Sequence, residues 1–183
     1  IELNAKMVDF AGFNMPISYP KGINSECESV RSNVGLFDVS HMGQILIQGD
    51  KSFDFVQHLT TNNVSKITDN QCQYTLMCNT NGGIIDDLIL YRIKQDKFLL
   101  VVNASNIDKN YKWIQEQLEK YCSKFDSCSI SAQNLSLDIS LIALQGPNSR
   151  NILSNFNEFK NCIDGLDFYY FNSFSESNEL KII

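Results

Sequence analysis

The order of apolar and polar residues along the chain predicts short strands that alternate with helices. Apolar or alternating runs indicate strands at 6–10, 14–19, 45–47, 98–102 and 141–144, and a hairpin over 70–91. Apolar residues at helical spacing predict helices over 24–32, 51–59, 106–121 and 149–156. Because the strands meet in hairpins and lack regular βαβ spacing, the pattern predicts an α+β fold with antiparallel sheets flanked by helices.

Residues with special backbone preferences mark several helix ends. Gly35 is placed to end the first helix, and Ser105 is placed to cap the start of the third. Gly146 and Pro147 precede the fourth helix. This pair favours helix punctuation over a phosphate-binding loop, because one glycine does not form a phosphate cradle.

The most informative segment is a glycine turn that leads into an apolar strand with two adjacent carboxylates. Gly82 and Gly83 are expected to supply the positive φ values of a tight hairpin. Alternation along the strand then places Asp86 and Asp87 on opposite faces. Both faces are otherwise apolar, so at least one carboxylate is expected in a poorly hydrated environment that raises its pKa.

Two interpretations of this acidic pair remain open. In the first, one aspartate is a site acid or base, while the other meets a backbone amide or solvent. In the second, a carboxylate simply finishes the turn at the start of the strand. An aspartic-protease-type dyad is excluded, since neighbouring strand residues do not share a face.

Composition narrows the class of protein. The 183 residues are 43% hydrophobic and 20% charged, which is typical of a globular chain with a real core. The net charge of −6 disfavours nucleic acid as a partner. No signal peptide or membrane-length apolar run is present, so no membrane partner is expected. Six cysteines without a Cys-x-x-Cys motif favour reduced thiols over a zinc site or a disulfide framework.

Three other polar or flexible side chains invite a functional interpretation. Met42 at the entrance to a strand is either core filler or the wall of a ligand site. Asn103 ends an apolar strand, where its amide either faces a ligand or caps the turn. His41 beside Ser40 favours a structural histidine, because no Gly-x-Ser-x-Gly elbow supports a nucleophile and base pair.

Five segments occur in the order found in the aminomethyltransferase family, the T-protein of the glycine cleavage system. They are Lys6–Phe13, Gly35–Gly43, Asn81–Ile89, Val101–Ala104 and Ala143–Pro147. The chain resembles roughly the N-terminal half of such a protein. It begins and ends without the features of natural termini, so it is expected to be part of a longer protein. The resemblance implies T-protein-like, folate-binding lobes. One lobe would comprise residues 1–38 and 130–183, incomplete at its C-terminus, and the other 39–129, with the glycine and aspartate hairpin.

The resemblance implies a tetrahydrofolate-dependent aminomethyltransferase of glycine catabolism. The aminomethyl carbon on the lipoyl arm of the H-protein would pass to tetrahydrofolate, releasing ammonia and forming 5,10-methylenetetrahydrofolate. The implied partners are lipoylated H-protein and folate, and no metal is expected. Two alternatives are a folate-dependent demethylase of another one-carbon donor and a non-enzymatic folate-binding protein of iron–sulfur assembly; the acidic pair favours an enzyme. The location would be the mitochondrial matrix in a eukaryote and the cytoplasm in a bacterium.

Motif matching implies specific site residues. Asp87 would be the catalytic carboxylate, projecting into a dry cavity that holds a reduced pteridine, and Asp86 would only support it. The residues that the resemblance places against folate are Met42, Tyr74, Asp87, Val101 and Asn103. The family's glutamate and arginine ligands for the pterin and the folate tail have no counterpart in this chain.

Overall fold

The chain forms mixed helices and antiparallel strands in the computed structural model, which describes the backbone of residues 3–176 and 179–182 and the side chains of residues 3–172. The strands are β1 (Lys6–Phe10), β2 (Phe13–Ser18), β3 (Gly35–Asp38), β4 (Gly43–Gln48), β5 (Gln71–Cys78), β6 (Ile84–Lys94), β7 (Lys97–Val102), β8 (Ser131–Asn134), β9 (Ile142–Gln145), β10 (Ser173–Glu176) and β11 (Glu179–Ile182). The helices are α1 (Ile23–Ser32), α2 (Ser52–Leu59), α3 (Ile107–Cys122), α4 (Ser149–Leu153) and α5 (Asn157–Ile163).

The chain divides into two compact units. The first comprises the segment up to His41 together with Ser140–Asp164, and the second comprises Met42–Ile139 and the segment from Gly165 onward. The predicted lobes, 1–38 with 130–183 and 39–129, stay a prediction. In the observed division, residues 130–139 and those after 164 group with 42–129.

The second unit is built on a five-stranded antiparallel sheet in the order β5-β6-β7-β4-β8. Alternate residues of its strands point toward α2 and α3 and form the core, because period-two geometry places them on one face. Buried members of this core are Ile45, Ile47, Phe55, Val56, Met77, Leu88, Leu90, Phe98, Leu100, Val102, Ile114 and Leu118. Each such side chain contributes about 1.5–3 kcal/mol on burial.

The apolar spacing predicts a buried stripe of Phe53, Val56 and Leu59 in α2 and of Ile107, Tyr111, Ile114 and Leu118 in α3, and the structure confirms these stripes in part. Ile114 and Leu118 of α3 are buried as predicted. In α2 the fully buried Phe55 was not among the predicted residues, and Phe53 is only partly buried. A 3₁₀ turn over Ala104–Asn106 precedes α3, so the expectation that Ser105 caps the helix is wrong.

On the opposite face of the sheet, Phe171 covers one end. Phe171 is 2% exposed and packs with Leu99 and Ile93, while Tyr91 contacts it edge-on at 5.3 Å between ring centroids. The aromatic run at residues 168–171 has a strand-like sequence, but in the structure it forms only a single bridge, between Tyr170 and Gln71. Asp87 lies on the same face and is exposed, whereas Val101 and Gln44 on that face are buried.

The first unit contains a hairpin of β1 and β2, the β3–β9 pair and the helices α1, α4 and α5. His41 packs against Phe10 edge to face, with ring centroids 5.7 Å apart, as expected of a structural histidine. Gly35 starts β3 instead of capping α1, whose C-cap residue is Asn33. The predicted fourth helix ends at Leu153, and α5 was not predicted.

Two of the six cysteines form a disulfide, which corrects the expectation of reduced thiols throughout. Cys122 at the end of α3 is bonded to Cys128, and the α-carbons of the two residues are 5.4 Å apart. That distance lies within the range a disulfide requires. The chain turns back after α3 and brings the two residues together, a consequence of the fold that the absence of a cysteine motif does not reveal.

Gly49 occupies a position where no side chain fits. Its φ is +119°, and a Cβ placed on it would overlap the carbonyl oxygen of Ser129. We expect Gly49→Ala to lower the free energy of unfolding by about 2–4 kcal/mol, because backbone strain and a backbone clash coincide.

Gly82→Ala is the matched control for this substitution. Gly82 has φ +81°, but a Cβ added to it would meet no atom within 4 Å. Its cost should therefore be the strain alone, about 1 kcal/mol. Urea unfolding of both variants provides the measurement, and equal losses at the two positions would contradict the clash with Ser129.

Candidate functional site

The turn between β5 and β6 is held by one asparagine side chain. Asn79 Oδ1 accepts hydrogen bonds from the backbone N–H groups of Asn81 and Gly83, both at 2.9 Å. Gly82 has the positive φ that was predicted, whereas Gly83 does not. Gly83 instead provides space, because a Cβ there would lie 2.8 Å from Asn79 Nδ2. The turn therefore fixes the start of β6 and the two aspartates that follow.

Asp86 is the buried member of the acidic pair, with 4% of its surface exposed. Three side-chain amides donate to its carboxylate: Asn103 at 2.9 Å, Asn106 at 2.7 Å and Asn110 at 2.5 Å. The backbone N–H of Asn103 donates as well, at 3.2 Å. The turn before α3 and the first helical residues thus converge on one carboxylate of β6.

The pKa of Asp86 is lowered, which corrects the expectation that the buried carboxylate would have a raised pKa. Burial alone would raise the pKa, and this is the largest single influence on it. Four hydrogen bonds together outweigh this effect of burial, because each favours the ionised form of the carboxylate. They come from the side-chain amides of Asn103, Asn110 and Asn106 and from the backbone N–H of Asn103. Asp86 is consequently a structural anion.

Asp87 is the exposed member of the pair, so the expected dry cavity around its side chain is wrong for this structure. Its Oδ2 accepts a hydrogen bond from the Tyr74 hydroxyl at 2.9 Å, and its Oδ1 accepts one from Asn103 Nδ2 at 3.0 Å. The bond to Asp87 raises the pKa of the Tyr74 phenol. Hydrogen bonds on both carboxylate oxygens hold this exposed group in one orientation.

The register of the sheet places three predicted site residues on the same face. Tyr74 pairs with Ile89, Ile89 pairs with Val101, and Val101 pairs with Gln44, so these four residues form one row across β5, β6, β7 and β4. Directly paired residues of antiparallel strands project to the same side. The Asp87 side chain lies on this face as well, two residues before Ile89.

Met42 is the fifth predicted site residue and directly precedes β4. Gly43 pairs with Val102, so Met42 and Asn103 come next along their two strands. The Met42 carbonyl accepts a hydrogen bond from Gln44 Nε2 at 2.7 Å, which anchors the backbone at this point. The structure therefore links Tyr74, Asp87 and Asn103 by hydrogen bonds, with Val101 and Met42 on adjoining strand positions.

Asn106, Asn110 and Gln44 were not predicted. The sequence does hold a signal for the first two, since Asn103, Asn106 and Asn110 are spaced three and four apart at the start of a predicted helix. Gln44 is 1% exposed, and its Oε1 is buried without a hydrogen-bond partner among the described residues. The sequence alone shows neither that Asn106 and Asn110 bind Asp86 nor that Gln44 is buried.

Neither a metal-binding cluster nor a membrane-spanning helix is found in the described part of the chain. Within that part, no group of three or more His, Cys, Asp or Glu side chains is arranged to hold a metal ion. No helix there is both long enough and apolar enough to cross a bilayer. The prediction that no metal is needed stays a prediction.

Curated relatives are similar in sequence to most of this chain. The aminomethyltransferase of Thermoanaerobacter pseudethanolicus is 44% identical over 168 residues, which cover 92% of this chain and 43% of that protein. The aminomethyltransferase of Thermosipho melanesiensis is 43% identical over 182 residues, covering 100% of this chain and 47% of that protein. This chain thus spans somewhat less than half the length of these relatives.

A solved structure confirms the α+β fold. The glycine cleavage system aminomethyltransferase T from Bartonella henselae matches with a TM-score of 0.81 and 29% identity, over 93% of this chain and 44% of that one. The family model described as the GCVT N-terminal domain matches residues 1–181. The predicted resemblance is therefore confirmed, and the chain belongs to the GCVT N-terminal domain family.

Proposed function

We propose that this chain carries the pteridine-binding face of a tetrahydrofolate-dependent aminomethyltransferase. The observation that carries the proposal is the exposed Asp87 carboxylate, held by Tyr74 and Asn103 on one face of the sheet. Relatives named aminomethyltransferase at 43–44% identity support it. The chain spans less than half of their length, so the activity of the whole protein is part of this proposal.

The reaction would move one carbon between two carriers. The aminomethyl carbon, bonded to sulfur on the lipoyl arm of the H-protein, forms new bonds to N5 and N10 of tetrahydrofolate. Its bonds to sulfur and to the amino nitrogen break. The two protons lost from N5 and N10 are balanced by one on the lipoyl thiol and one on the departing ammonia. The products are 5,10-methylenetetrahydrofolate, ammonia and dihydrolipoyl H-protein.

Asp87 is well placed to accept a proton during this reaction. An oriented carboxylate accepts a hydrogen bond from an N–H group of the pteridine and can take its proton as the new bond forms. The Tyr74 hydroxyl and the Asn103 amide fix the direction of the carboxylate. A group already held in its reactive orientation needs little rearrangement during the reaction.

The remaining predicted residues provide shape. Tyr74 is 48% exposed, so its ring is free to contact a flat ligand beside Asp87. Ile89 and Val101 continue the row next to it, and Val101, which is 9% exposed, supports the site from within the sheet. Met42 adjoins this row at the start of β4, where a flexible thioether packs well against an aromatic ring.

An assay of H-protein-dependent methylenetetrahydrofolate formation tests the proposal. The protein would be expressed from its complete reading frame and supplied with aminomethylated H-protein and tetrahydrofolate in the absence of oxygen. We expect product and ammonia to form in equal amounts, only when both substrates are present. Product formation from another one-carbon donor without H-protein would favour a demethylase, and folate binding without turnover would favour a non-enzymatic role.

Location follows from the source of the protein, as predicted above. The mitochondrial matrix in a eukaryote and the cytoplasm in a bacterium remain the proposed alternatives. The two relatives compared by sequence are bacterial, which supports the second. Fractionation of source cells with an antibody against the chain would decide between them.

A further inference from the structure

The amide of Asn103 lies between both carboxylates of the acidic pair. Its Nδ2 is 2.9 Å from Asp86 Oδ1, 3.0 Å from Asp87 Oδ1 and 3.1 Å from the Asp87 carbonyl oxygen. A side-chain NH₂ has only two hydrogens, so these three acceptors use its full donor capacity. Among the described residues, no donor to Asn103 Oδ1 is found, which leaves this carbonyl oxygen to meet a ligand.

The opposite orientation of the Asn103 amide is strongly disfavoured. Rotating the amide by half a turn would place its Oδ1 against the oxygens of Asp86 and Asp87, where acceptors face acceptors. The repulsion is greatest with Asp86, because that carboxylate is 4% exposed and little screened by water. The backbone N–H of Asn103 bonds the same carboxylate and fixes the residue from a second direction.

Asp86 is itself immobilised from the helix side. Asn106 donates to its Oδ1 at 2.7 Å and Asn110 donates to its Oδ2 at 2.5 Å. Asn110 is completely buried, so its contact with Asp86 is not shared with solvent. The carboxylate is therefore held ionised, in one position, behind Asn103.

We infer that Asp86 is a positioning residue that turns Asn103 Oδ1 outward, so that the candidate site presents hydrogen-bond acceptors from both Asn103 and Asp87 and thereby selects the reduced pteridine. This inference rests on the proposed function. Tetrahydropterin carries N–H groups at N5 and N8, whereas the fully oxidised ring has lone pairs at the same atoms. A ligand edge with lone pairs would face these oxygen atoms and displace their water without supplying a donor, which is costly.

Comparing two ligands on one protein tests the selectivity. We expect tetrahydrofolate to bind the protein, expressed from its complete reading frame, at least about tenfold more tightly than folic acid, from the cost of unpaired polar groups. Fluorescence quenching under anaerobic conditions gives both dissociation constants. Binding of neither ligand would overturn the proposed function, whereas equal binding of both would overturn this inference alone.

Asp86→Asn tests the positioning role through the ratio of the two dissociation constants. With a neutral amide at position 86, the strongest repulsion against the rotated Asn103 amide is removed and only the oxygens of Asp87 still oppose it, so the preference for tetrahydrofolate should fall below the wild-type ratio. A purely structural defect would weaken both ligands and leave the ratio unchanged, and this result would overturn the role. Asp69→Asn is the control and should keep the wild-type ratio, because Asp69 forms a surface ion pair with Arg92 at 2.9 Å.

A measurement on the wild type covers the case in which Asp86→Asn does not fold. The side-chain NH₂ signals of Asn103 can be followed by NMR and assigned by their loss in Asn103→Ser. Slow exchange with solvent, and a shift when acid protonates Asp86, would support the locked amide. Exchange as fast as that of an exposed asparagine would overturn it.

Discussion

Asp87→Asn is expected to lower the rate of methylenetetrahydrofolate formation by about 10²–10⁴-fold, the usual range for loss of a positioned acid or base. Affinity for tetrahydrofolate should change little, since asparagine keeps the shape and one acceptor oxygen. The new amide can donate to the Tyr74 hydroxyl and still accept from Asn103, so the local hydrogen bonds survive. Steady-state kinetics with separate kcat and KM values provides the measurement.

Asp69→Asn serves as the control for this variant too, because it changes the charge by the same amount in the same unit. Its turnover should match that of the wild type. If Asp87→Asn kept wild-type turnover, Asp87 would not handle the protons. A large rise in KM at constant kcat would instead assign Asp87 to binding alone.

Asp86→Ala is expected to have the largest effect on stability, a loss of about 3–5 kcal/mol in the free energy of unfolding. Removing one partner from a buried charged network leaves the others without hydrogen bonds. Here the amides of Asn106 and of the fully buried Asn110 would lose their acceptor, and the amide of Asn103 would lose one of its three. Urea unfolding at neutral pH measures the loss.

The contribution of Asp86 should also depend on pH, in a direction fixed by its lowered pKa. A carboxylate with a lower pKa in the folded state than in the unfolded state stabilises the protein above the unfolded value, about pH 4. The stabilisation is lost as pH falls below that value and through the folded pKa. Asp86→Ala should therefore differ less from the wild type at pH 2–3 than at pH 7.

Asp50→Ala is the control for the pH series. Asp50 is exposed and pairs with Lys51 on the surface, so its removal should cost about 0–1 kcal/mol at any pH. A loss at position 86 no larger than at position 50 would show that the amide cluster does not stabilise the fold.

Strand and helix identities were predictable where patterns are local. The hairpin of β5 and β6 follows from a glycine turn between apolar runs, and α3 follows from a stripe that includes Ile114 and Leu118. The short α5 has too few periodic residues to stand out. The bond between Cys122 and Cys128 depends on where the chain turns after α3, which no local pattern encodes.

The sequence predicted which residues form the candidate site, but it did not predict their burial or their hydrogen-bond partners. Alternation correctly separated Asp86 from Asp87, because side chains on a strand must alternate. Which of the two is buried depends on α3 covering one face of the sheet, and the direction of the Asp86 pKa depends on the amides of Asn106 and Asn110. Those contacts join residues 20 and 24 positions apart, beyond the reach of spacing rules.

The order of strands in the second unit has a consequence for how the chain folds. Neighbouring hairpins join β5, β6 and β7, so their pairing closes only short loops. By contrast, β4 pairs with β8 through residues as distant as Ile45 and Asn134, and this closure costs more chain entropy. We therefore expect the three-stranded meander that bears Tyr74 and Asp87 to nucleate folding, with β8 docking late.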